Sequence, residues 1–267
     1  MSNSTIEFSK KIRRETLQMI YEAKASHIGG AFSMADLLAV LYSDFLNIDP
    51  KNPKDPIRDR LFLSKGHACT SLYATLALKG FFDLGELKNY SKNESLLLSH
   101  ASHKVAGVEL STGSLGHALS VACGVALFAK RNSKTFKVYV ILSDGELDEG
   151  SNWEAILFAQ QHGLNNLIGI IDYNKIQSLG TVTEVMNLEP LNKKFESFGW
   201  NAIEIDGHDH ESIGTAVKQA NSSKEKPTVI LAHTVKGKGV DFMEDQLLWH
   251  YKSPSKEQFE AALEQLK

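Results

Sequence analysis

Asp144 and Asn174 are two oxygen-bearing side chains, thirty residues apart, that each follow an apolar run of the chain. If both runs are parallel strands of one sheet, the two side chains leave the same carboxyl edge, where open α/β sheets bind ligands. A carboxylate and an amide oxygen, with the backbone carbonyl of Ile176 nearby, suit a hard divalent cation that also contacts phosphate oxygens. The spacing therefore predicts Mg²⁺ or Ca²⁺ bridging a diphosphate, and ordinary turn chemistry is the alternative.

Other residues with binding chemistry stand at similar strand ends. His67 follows an apolar run and a Gly turn and opens a helix, where free backbone N–H groups favour an anion. Lys236 lies in a Gly-rich turn and can offset phosphate charge, although a solvated basic loop is the alternative. His208 and His210 invite a metal interpretation, but Asp209 between them predicts a helix N-terminus with Asp209 as its cap.

The elements that position these residues alternate between apolar strands and helices. Strands are predicted at residues 58–63, 137–143, 167–171, 199–206 and 226–233, and helices at 5–24, 34–47, 68–78, 115–130 and 211–221. Gly29 and Gly30 are predicted in a loop before the second helix, and the helix after Asp144 is predicted to be capped by Ser151 with Glu154 in capping-box spacing. This alternation predicts an α/β fold with a mostly parallel sheet.

Composition limits the classes of protein that the chain can represent. Its 267 residues, 42% hydrophobic and 23% charged, predict one α/β domain over residues 1–267. The net charge of −3 and the absence of a basic stripe argue against a nucleic-acid binder. Cys69 and Cys123 have no CxxC partner, which predicts a reducing compartment, namely the cytoplasm. The polar segment 1–5 lacks an apolar signal core, and no run is long enough to span a membrane.

The stretch from Asp144 to Asn174 resembles the thiamine diphosphate motif, which begins Gly-Asp-Gly and ends in an Asn at the same separation. The wider sequence is similar to transketolases, which implies a three-layer α/β/α thiamine diphosphate-binding fold with a mostly parallel central sheet. Ser143 stands where the motif has its first Gly, and Tyr251 stands where these enzymes commonly have Gly after a histidine. Either departure would disturb the local backbone if the position required a positive φ.

The resemblance also implies roles for individual residues. His27, His100, His67 and His250 match catalytic histidines; the first two would act on the substrate, and the last two would bind the diphosphate. His103 competes with His100, because loop lengths vary before Gly107, and His117 either caps or packs. The implied thiamine diphosphate ligands are His67, Gly113, Leu115, Asp144, Gly145, Glu149, Asn174, Ile176, Lys236 and His250. The implied metal ligands, for Mg²⁺ or Ca²⁺, are Asp144, Asn174 and Ile176.

The similarity covers nearly the whole chain, but only as the N-terminal half of an ordinary transketolase. The Glu that activates the cofactor, the aromatic shelf for its pyrimidine ring and most sugar-phosphate ligands belong to a second, pyrimidine-binding domain, and none has a counterpart motif here. The resemblance thus implies the diphosphate-binding subunit of a split transketolase. Such an enzyme transfers a two-carbon ketol unit from a ketose, commonly a phosphate, to an aldose. It would act with a C-terminal subunit in an α2β2 heterotetramer.

Two alternatives stay open at this point. The chain can be the diphosphate-binding subunit of another thiamine diphosphate enzyme, similar to deoxyxylulose phosphate synthase or to a branched-sugar synthase. It can also be a non-catalytic subunit that binds the cofactor only to stabilise an assembly. The retained loop histidines at the reacting end argue against this second alternative.

Overall fold

The computed structural model describes residues 3–267, so the first two residues of the polar N-terminal segment lie outside the described range. Over residues 3–267 the strands are β1 (Arg60–Leu63), β2 (Val138–Ser143), β3 (Leu167–Tyr173), β4 (Asn201–Asp206) and β5 (Thr228–His233). The helices are α1 (Asn3–Ala23), α2 (Ile28–Ser33), α3 (Ala35–Val40), α4 (Cys69–Leu78), α5 (Ala118–Arg131), α6 (Gly150–Gln161), α7 (Val182–Val185), α8 (Leu191–Ser197), α9 (His210–Asn221) and α10 (Lys256–Gln265). Short 3₁₀ turns occur at Gly66–Ala68, Leu84–Asn89, Gly145–Asp148 and Leu247–His250, and a π-helical turn at Leu41–Phe45.

The five strands form one sheet in the order β1-β2-β3-β5-β4, and each pair is parallel. Every residue of β2 and β3 is buried, which explains why their sequences are apolar without alternation. In the register of these two strands, Ser143 pairs with Asp172. Asp144 and Asn174 therefore emerge side by side at the carboxyl edge, and the α/β fold predicted from the sequence is confirmed.

Alternate strand residues point to two separate cores. Ile141, Ile170 and Ile230 pack in a cluster with residues of α1, α3, α4 and α9 on one face of the sheet. Val140 and Leu231 pack on the other face with residues of α5, α6 and α8. A third cluster joins α10 to α1 and α2 and to the segment that follows β5. Helices thus cover both faces, which is the predicted three-layer α/β/α arrangement.

The predicted glycine loop before α3 is wrong. Gly29 and Gly30 lie inside α2, which begins at Ile28 rather than at the predicted residue 34. A Cβ atom on Gly29 would lie 2.9 Å from Cγ of Lys236. The close approach of that lysine side chain, rather than a turn, is what requires glycine there.

The predicted cap of α6 is also wrong. The helix begins at Gly150, and Glu149 occupies the N-cap position with extended backbone and no side-chain cap. Ser151 Oγ instead donates a hydrogen bond of 2.7 Å to the carbonyl of Gly116. The Ser151 hydroxyl therefore holds a neighbouring loop and does not start the helix.

The two departures from the glycine pattern leave the backbone undisturbed. Ser143 is the last residue of β2 and keeps the parallel register with β3. Tyr251 has a φ of −116°, which any L-residue adopts. Neither position needs the freedom of glycine. Within the described range, no helix combines the length and the apolar character needed to cross a bilayer.

Candidate active site

A cavity of about 260 Å³ opens at the carboxyl ends of the central strands. This is the edge at which doubly wound α/β sheets bind their ligands. Most of the site residues predicted from the sequence line it, together with several that were not predicted. The lining residues are His27, Gly30, Lys65, His67, His100, Gly113, Leu115, Ser143, Asp144, Gly145, Asn174, Ile176, Gln177, Ser178, Lys236, His250 and Tyr251.

The predicted metal ligands meet in one turn at the floor of this cavity. Asp144 is buried, and its two carboxylate oxygens accept hydrogen bonds from the backbone N–H groups of Gly145 (2.7 Å) and Lys175 (2.6 Å). Asn174 is also buried, and its Oδ1 accepts from Ile176 N at 3.2 Å. These bonds fix the side-chain oxygens at the strand ends, where the geometry for a cation is prepared in advance.

The electrostatics of Asp144 suit an added positive charge. Burial, and then the nearby carboxylate of Asp172, raise the pKa of Asp144 to about 6. A bound divalent cation would reverse this effect by favouring the ionised carboxylate. In the described part of the chain, His, Cys, Asp and Glu form no cluster of three or more that could hold a metal ion. The donor set that remains has one carboxylate plus amide and carbonyl oxygens, which fits a cation that keeps phosphate oxygens as ligands.

The four histidines implied by the resemblance come from distant segments and meet in the cavity. The ring of His27 lies 5.0 Å from His67, 5.1 Å from His250 and 6.2 Å from His100, measured between centroids. The rings of His67 and His250 are 5.8 Å apart. The backbone N–H of His27 donates to the carbonyl of His250 at 2.8 Å, so these two segments are tied together.

Three of these imidazoles are neutral at neutral pH. Burial, and then His100 and Lys236, lower the pKa of His27 to about 4. Burial and Lys236 lower the pKa of His250 to about 3, while burial and Lys65 hold the pKa of His67 well below its usual range. A neutral imidazole can donate one hydrogen bond and accept another. Nδ1 of His27 is buried without a hydrogen-bond partner, so this ring has bonding capacity left for a ligand.

Lys236 brings a buried ammonium group to the same cavity. Its Nζ donates to the carbonyl of Ile176 at 2.8 Å and lies 3.0 Å from Nδ1 of His250. Burial, and then the charge of Lys65, lower the pKa of Lys236 to about 8, so it is still protonated at neutral pH. Its contacts with Ile176 and His250 are with neutral atoms, which leaves its positive charge available to an anion.

A buried ion pair that sequence reasoning missed supports the cavity wall. The ammonium of Lys65 contacts the carboxylate of Asp172 and also donates to the carbonyl of Gly30 at 2.9 Å. The same carboxylate accepts from the hydroxyls of Ser33 and Thr234. These bonds join α2, the turn after β1, β3 and the segment after β5. Lys65, in the turn after β1, and Asp172, a charge inside an apolar run, were the sequence signals.

We expect Asp172→Asn to lower the free energy of unfolding by about 3 kcal/mol, because it leaves the Lys65 ammonium buried without its counter-charge. Urea denaturation of the purified chain measures this difference. Glu196→Gln is the matched control, since it breaks the exposed pair of Glu196 with Lys193 and should cost less than about 1 kcal/mol. Equal losses in the two variants would contradict the structural role of the buried pair.

The glycine-bearing loop that contributes Gly113 and Leu115 packs directly on the turn that carries His67. A Cβ atom on Gly66 would lie 2.2 Å from the carbonyl oxygen of Thr112, so only glycine permits this approach. The buried carboxyl of Glu146 accepts from Gly116 N at 2.9 Å and also contacts the Ser64 hydroxyl. The loop is therefore fixed at both of its ends against the strand ends that line the cavity.

Some residues considered from the sequence lie outside the cavity lining. Glu149, expected to bind the cofactor, is exposed and does not line the cavity, because it stands at the start of α6 beside Gly116. His103 is exposed and bonds Ser111 Oγ at 2.7 Å, so the structure brings His100 to the site and leaves His103 outside. His117 is exposed at the start of α5 and makes no cap bond.

The comparisons with known proteins agree with this geometry. Residues 5–263 match the family described as "Transketolase, thiamine diphosphate binding domain". The chain is 40% identical over 267 residues to one of the named subunits of the apulose-4-phosphate transketolase of Phocaeicola vulgatus, covering 100% of this chain and 95% of that protein. It is 43% identical over 256 residues to the 6-deoxy-6-sulfo-D-fructose transketolase subunit SqwG of a Clostridium species, covering 96% and 93% of the two chains.

Whole transketolases are similar over a smaller part of their length. Human transketolase is 38% identical over 259 residues, which is 97% of this chain and 41% of that protein. The crystal structure of Campylobacter jejuni transketolase superimposes with a TM-score of 0.93 at 35% identity and covers 100% of this chain and 43% of that one. The predicted similarity to the N-terminal subunit of a two-chain transketolase is confirmed. The chain belongs to the transketolase family, as its thiamine diphosphate-binding domain.

Proposed function

We propose that this chain is one subunit of an enzyme that transfers a two-carbon ketol unit from a ketose, commonly a phosphate, to an aldose acceptor. It acts with a separate pyrimidine-binding subunit. The observation that carries the proposal is the cavity itself, in which neutral histidines, a buried ammonium and an Asp/Asn turn face one another. This combination suits a metal-bound diphosphate at one end and a polyhydroxylated substrate at the other.

The residues of the cavity fit thiamine diphosphate with Mg²⁺ or Ca²⁺. Asp144, Asn174 and the carbonyl of Ile176 would hold the cation; this carbonyl already accepts from Lys236 and has a second lone pair. His67, His250 and Lys236 would contact the diphosphate oxygens. When bound, thiamine diphosphate supplies the electron sink for cleavage of the carbon–carbon bond beside a ketose carbonyl.

The remaining residues act on the substrate and on proton positions. His27 has an unpartnered buried Nδ1 and can bond a substrate oxygen, or hold the proton that moves on or off it. His100 is exposed beside His27 and can contact hydroxyl groups of the incoming sugar. The low pKa of His27 keeps its ring neutral, so the ring can accept a proton from a hydroxyl group during the reaction.

A partner subunit is supported by the relatives and by the surface of the chain. Two similar proteins of nearly the same length are named as transketolase subunits. Large apolar side chains are exposed on α5 (Val121, Phe128) and on α6 (Leu157, Phe158), in the same layer of the fold. An apolar surface of this kind is typical of a protein interface. We propose an α2β2 heterotetramer in which the cofactor is enclosed between unlike chains.

The identity of the sugars is a separate question. The two subunit relatives are similarly distant from this chain, at 40% and 43% identity, yet their names give different substrates, apulose 4-phosphate and 6-deoxy-6-sulfo-D-fructose. The proposal is therefore confined to ketoses that carry an anionic group at the end remote from the reacting carbons. A panel of such ketoses with several aldose acceptors would identify the donor.

The test of the proposed function is reconstitution. We expect no ketol transfer by the purified chain with thiamine diphosphate and Mg²⁺, and turnover once a pyrimidine-binding transketolase chain from the same genome is added. The control is the same mixture with heat-inactivated partner. Robust turnover by this chain alone, in a preparation shown by mass spectrometry to lack other proteins, would contradict the two-chain proposal.

A further inference from the structure

The turn after β4 interlocks with the segment after β5 at the edge of the cavity. A Cβ atom on Gly207 would lie 2.4 Å from Cγ2 of Thr234, so only glycine lets the two segments come this close. The next residue, His208, accepts a hydrogen bond of 2.8 Å at Nε2 from the backbone N–H of Val235. Two different loops of the carboxyl edge are therefore joined by one imidazole.

This hydrogen bond determines the tautomer of His208. A backbone N–H can only donate, so Nε2 of His208 must be the acceptor and Nδ1 must carry the proton. Nδ1 lies 2.7 Å from Oδ2 of Asp36, to which it donates. The imidazole is thus held at both nitrogens, with its orientation and protonation defined by its two partners.

Asp36 is a rigid anchor for this ring. It is buried on α3, and the guanidinium of Arg13 donates to its two oxygens at 3.0 and 2.6 Å. His210 contacts the same carboxylate through Nε2, at 3.1 Å from Oδ1. Arg13 and the two histidines together hold the pKa of Asp36 well below its usual range, even though burial alone would raise it.

Val235, the residue held by His208, stands between two residues of the site. Thr234 bonds the carboxylate of Asp172, and Lys236 places its ammonium against the carbonyl of Ile176 and the ring of His250. The backbone N–H of Val235 is thus the point at which the remote anchor is connected to the residue that carries the ammonium.

We propose that His208 is a positioning residue, which fixes the backbone at Val235 so that Lys236 is held in place to bind the diphosphate. This proposal rests on the proposed function, because it assigns Lys236 to the diphosphate. His208 itself does not line the cavity. Its effect on binding must therefore pass through Val235.

Two substitutions separate the two bonds of the ring. In His208→Gln, Oε1 replaces Nε2 and can still accept from Val235 N–H, whereas the bond to Asp36 is lost. In His208→Asn, Nδ2 replaces Nδ1 and can still donate to Asp36, but the side chain is too short to reach Val235. His210→Asn is the matched control, since His210 shares Asp36 but bonds Thr5 rather than Val235.

The test measures amide hydrogen exchange at Val235 and calorimetric affinity for inorganic pyrophosphate with Mg²⁺, both on the complex of this chain with its partner. In His208→Asn we expect Val235 to exchange about tenfold faster and pyrophosphate to bind about tenfold more weakly, the ratio that corresponds to one lost hydrogen bond. His208→Gln and His210→Asn should stay within about threefold of the wild type in both measurements, since the bond to Val235 is retained in each.

Three results would overturn the proposal. One is an unprotected Val235 amide in the wild type, which needs no variant and holds even if His208→Asn fails to fold. Another is faster exchange in His208→Asn with unchanged pyrophosphate affinity, because the bond would then not position Lys236. The third is equal loss of affinity in His210→Asn. If the wild type binds no pyrophosphate although Val235 is protected, the proposed function fails as well, and the exchange data distinguish that outcome.

Discussion

Replacing Asp144 by Ala is expected to lower the affinity for thiamine diphosphate with Mg²⁺ by more than about 100-fold, since losing even an indirect partner of a metal ligand costs about 10- to 100-fold. Asn174→Ala should have a similar effect. The cation that bridges the diphosphate would lose one of its protein oxygens in each variant. The buried turn contains no other carboxylate aimed at the same point, because Asp172 is already bonded to Lys65, Ser33 and Thr234.

Unfolding does not explain such a loss. Burial raises the pKa of Asp144 to about 6, so its charge is unfavourable in the metal-free chain and its removal relieves a cost. Isothermal calorimetry on the complex with the partner, with and without Mg²⁺, measures the affinity. Asp83→Ala is the control, because Asp83 also precedes a 3₁₀ turn and accepts from a backbone N–H at 2.7 Å, yet lies outside the cavity. Unchanged affinity in both the Asp144 and Asn174 variants would refute the metal turn.

The sheet and its active edge were predictable because they depend on local patterns. Strands β2 and β3 are buried on both faces, so their apolar runs are continuous and end abruptly at polar residues. Parallel pairing then brings Asp144 and Asn174 to one edge without any further information. The histidines were identified by resemblance rather than by physical pattern, since a histidine in a loop has no distinctive local signal.

The supporting network was not predictable in the same way. Lys65 and Asp172 are 107 residues apart, and their contact depends on the order of strands in the sheet. His208 and Asp36 are separated by 172 residues and meet only because α3 and the turn after β4 pack on the same face. A buried charge that needs a distant partner can be noticed in the sequence, but its partner is given by topology.

Local signals also failed where tertiary packing uses a residue for another purpose. Adjacent glycines usually mark a turn, yet Gly29 lies in a helix because the stem of Lys236 occupies the space of a Cβ atom. Ser151 has the spacing of a capping residue, yet its hydroxyl bonds the loop at Gly116. In both places a contact from a remote part of the chain overrides the local preference.

Substitutions of the four histidines should separate two functions of the cavity. Changing His27 or His100 to Asn should lower turnover about 100-fold or more, the range for loss of a positioned acid or base, with little change in cofactor affinity. Changing His67 or His250 to Asn should weaken thiamine diphosphate binding by about 10- to 100-fold, which corresponds to one hydrogen bond to a charged group. Turnover at saturating cofactor should then be reduced much less.

Asn is the right replacement at all four positions because His27 has a φ of 71°, a left-handed conformation that Asn tolerates and Ala does not. An Ala variant at His27 would add backbone strain, and that strain would reach His250 through the bond from His27 N to the His250 carbonyl. His103→Asn is the matched control, since His103 is an exposed histidine of the same region that does not line the cavity. Calorimetry and steady-state kinetics on the two-chain enzyme separate affinity from turnover. If His27→Asn lost the cofactor as readily as His67→Asn, the rings, 5.0 Å apart, would share one function, and the division between substrate and diphosphate would be wrong.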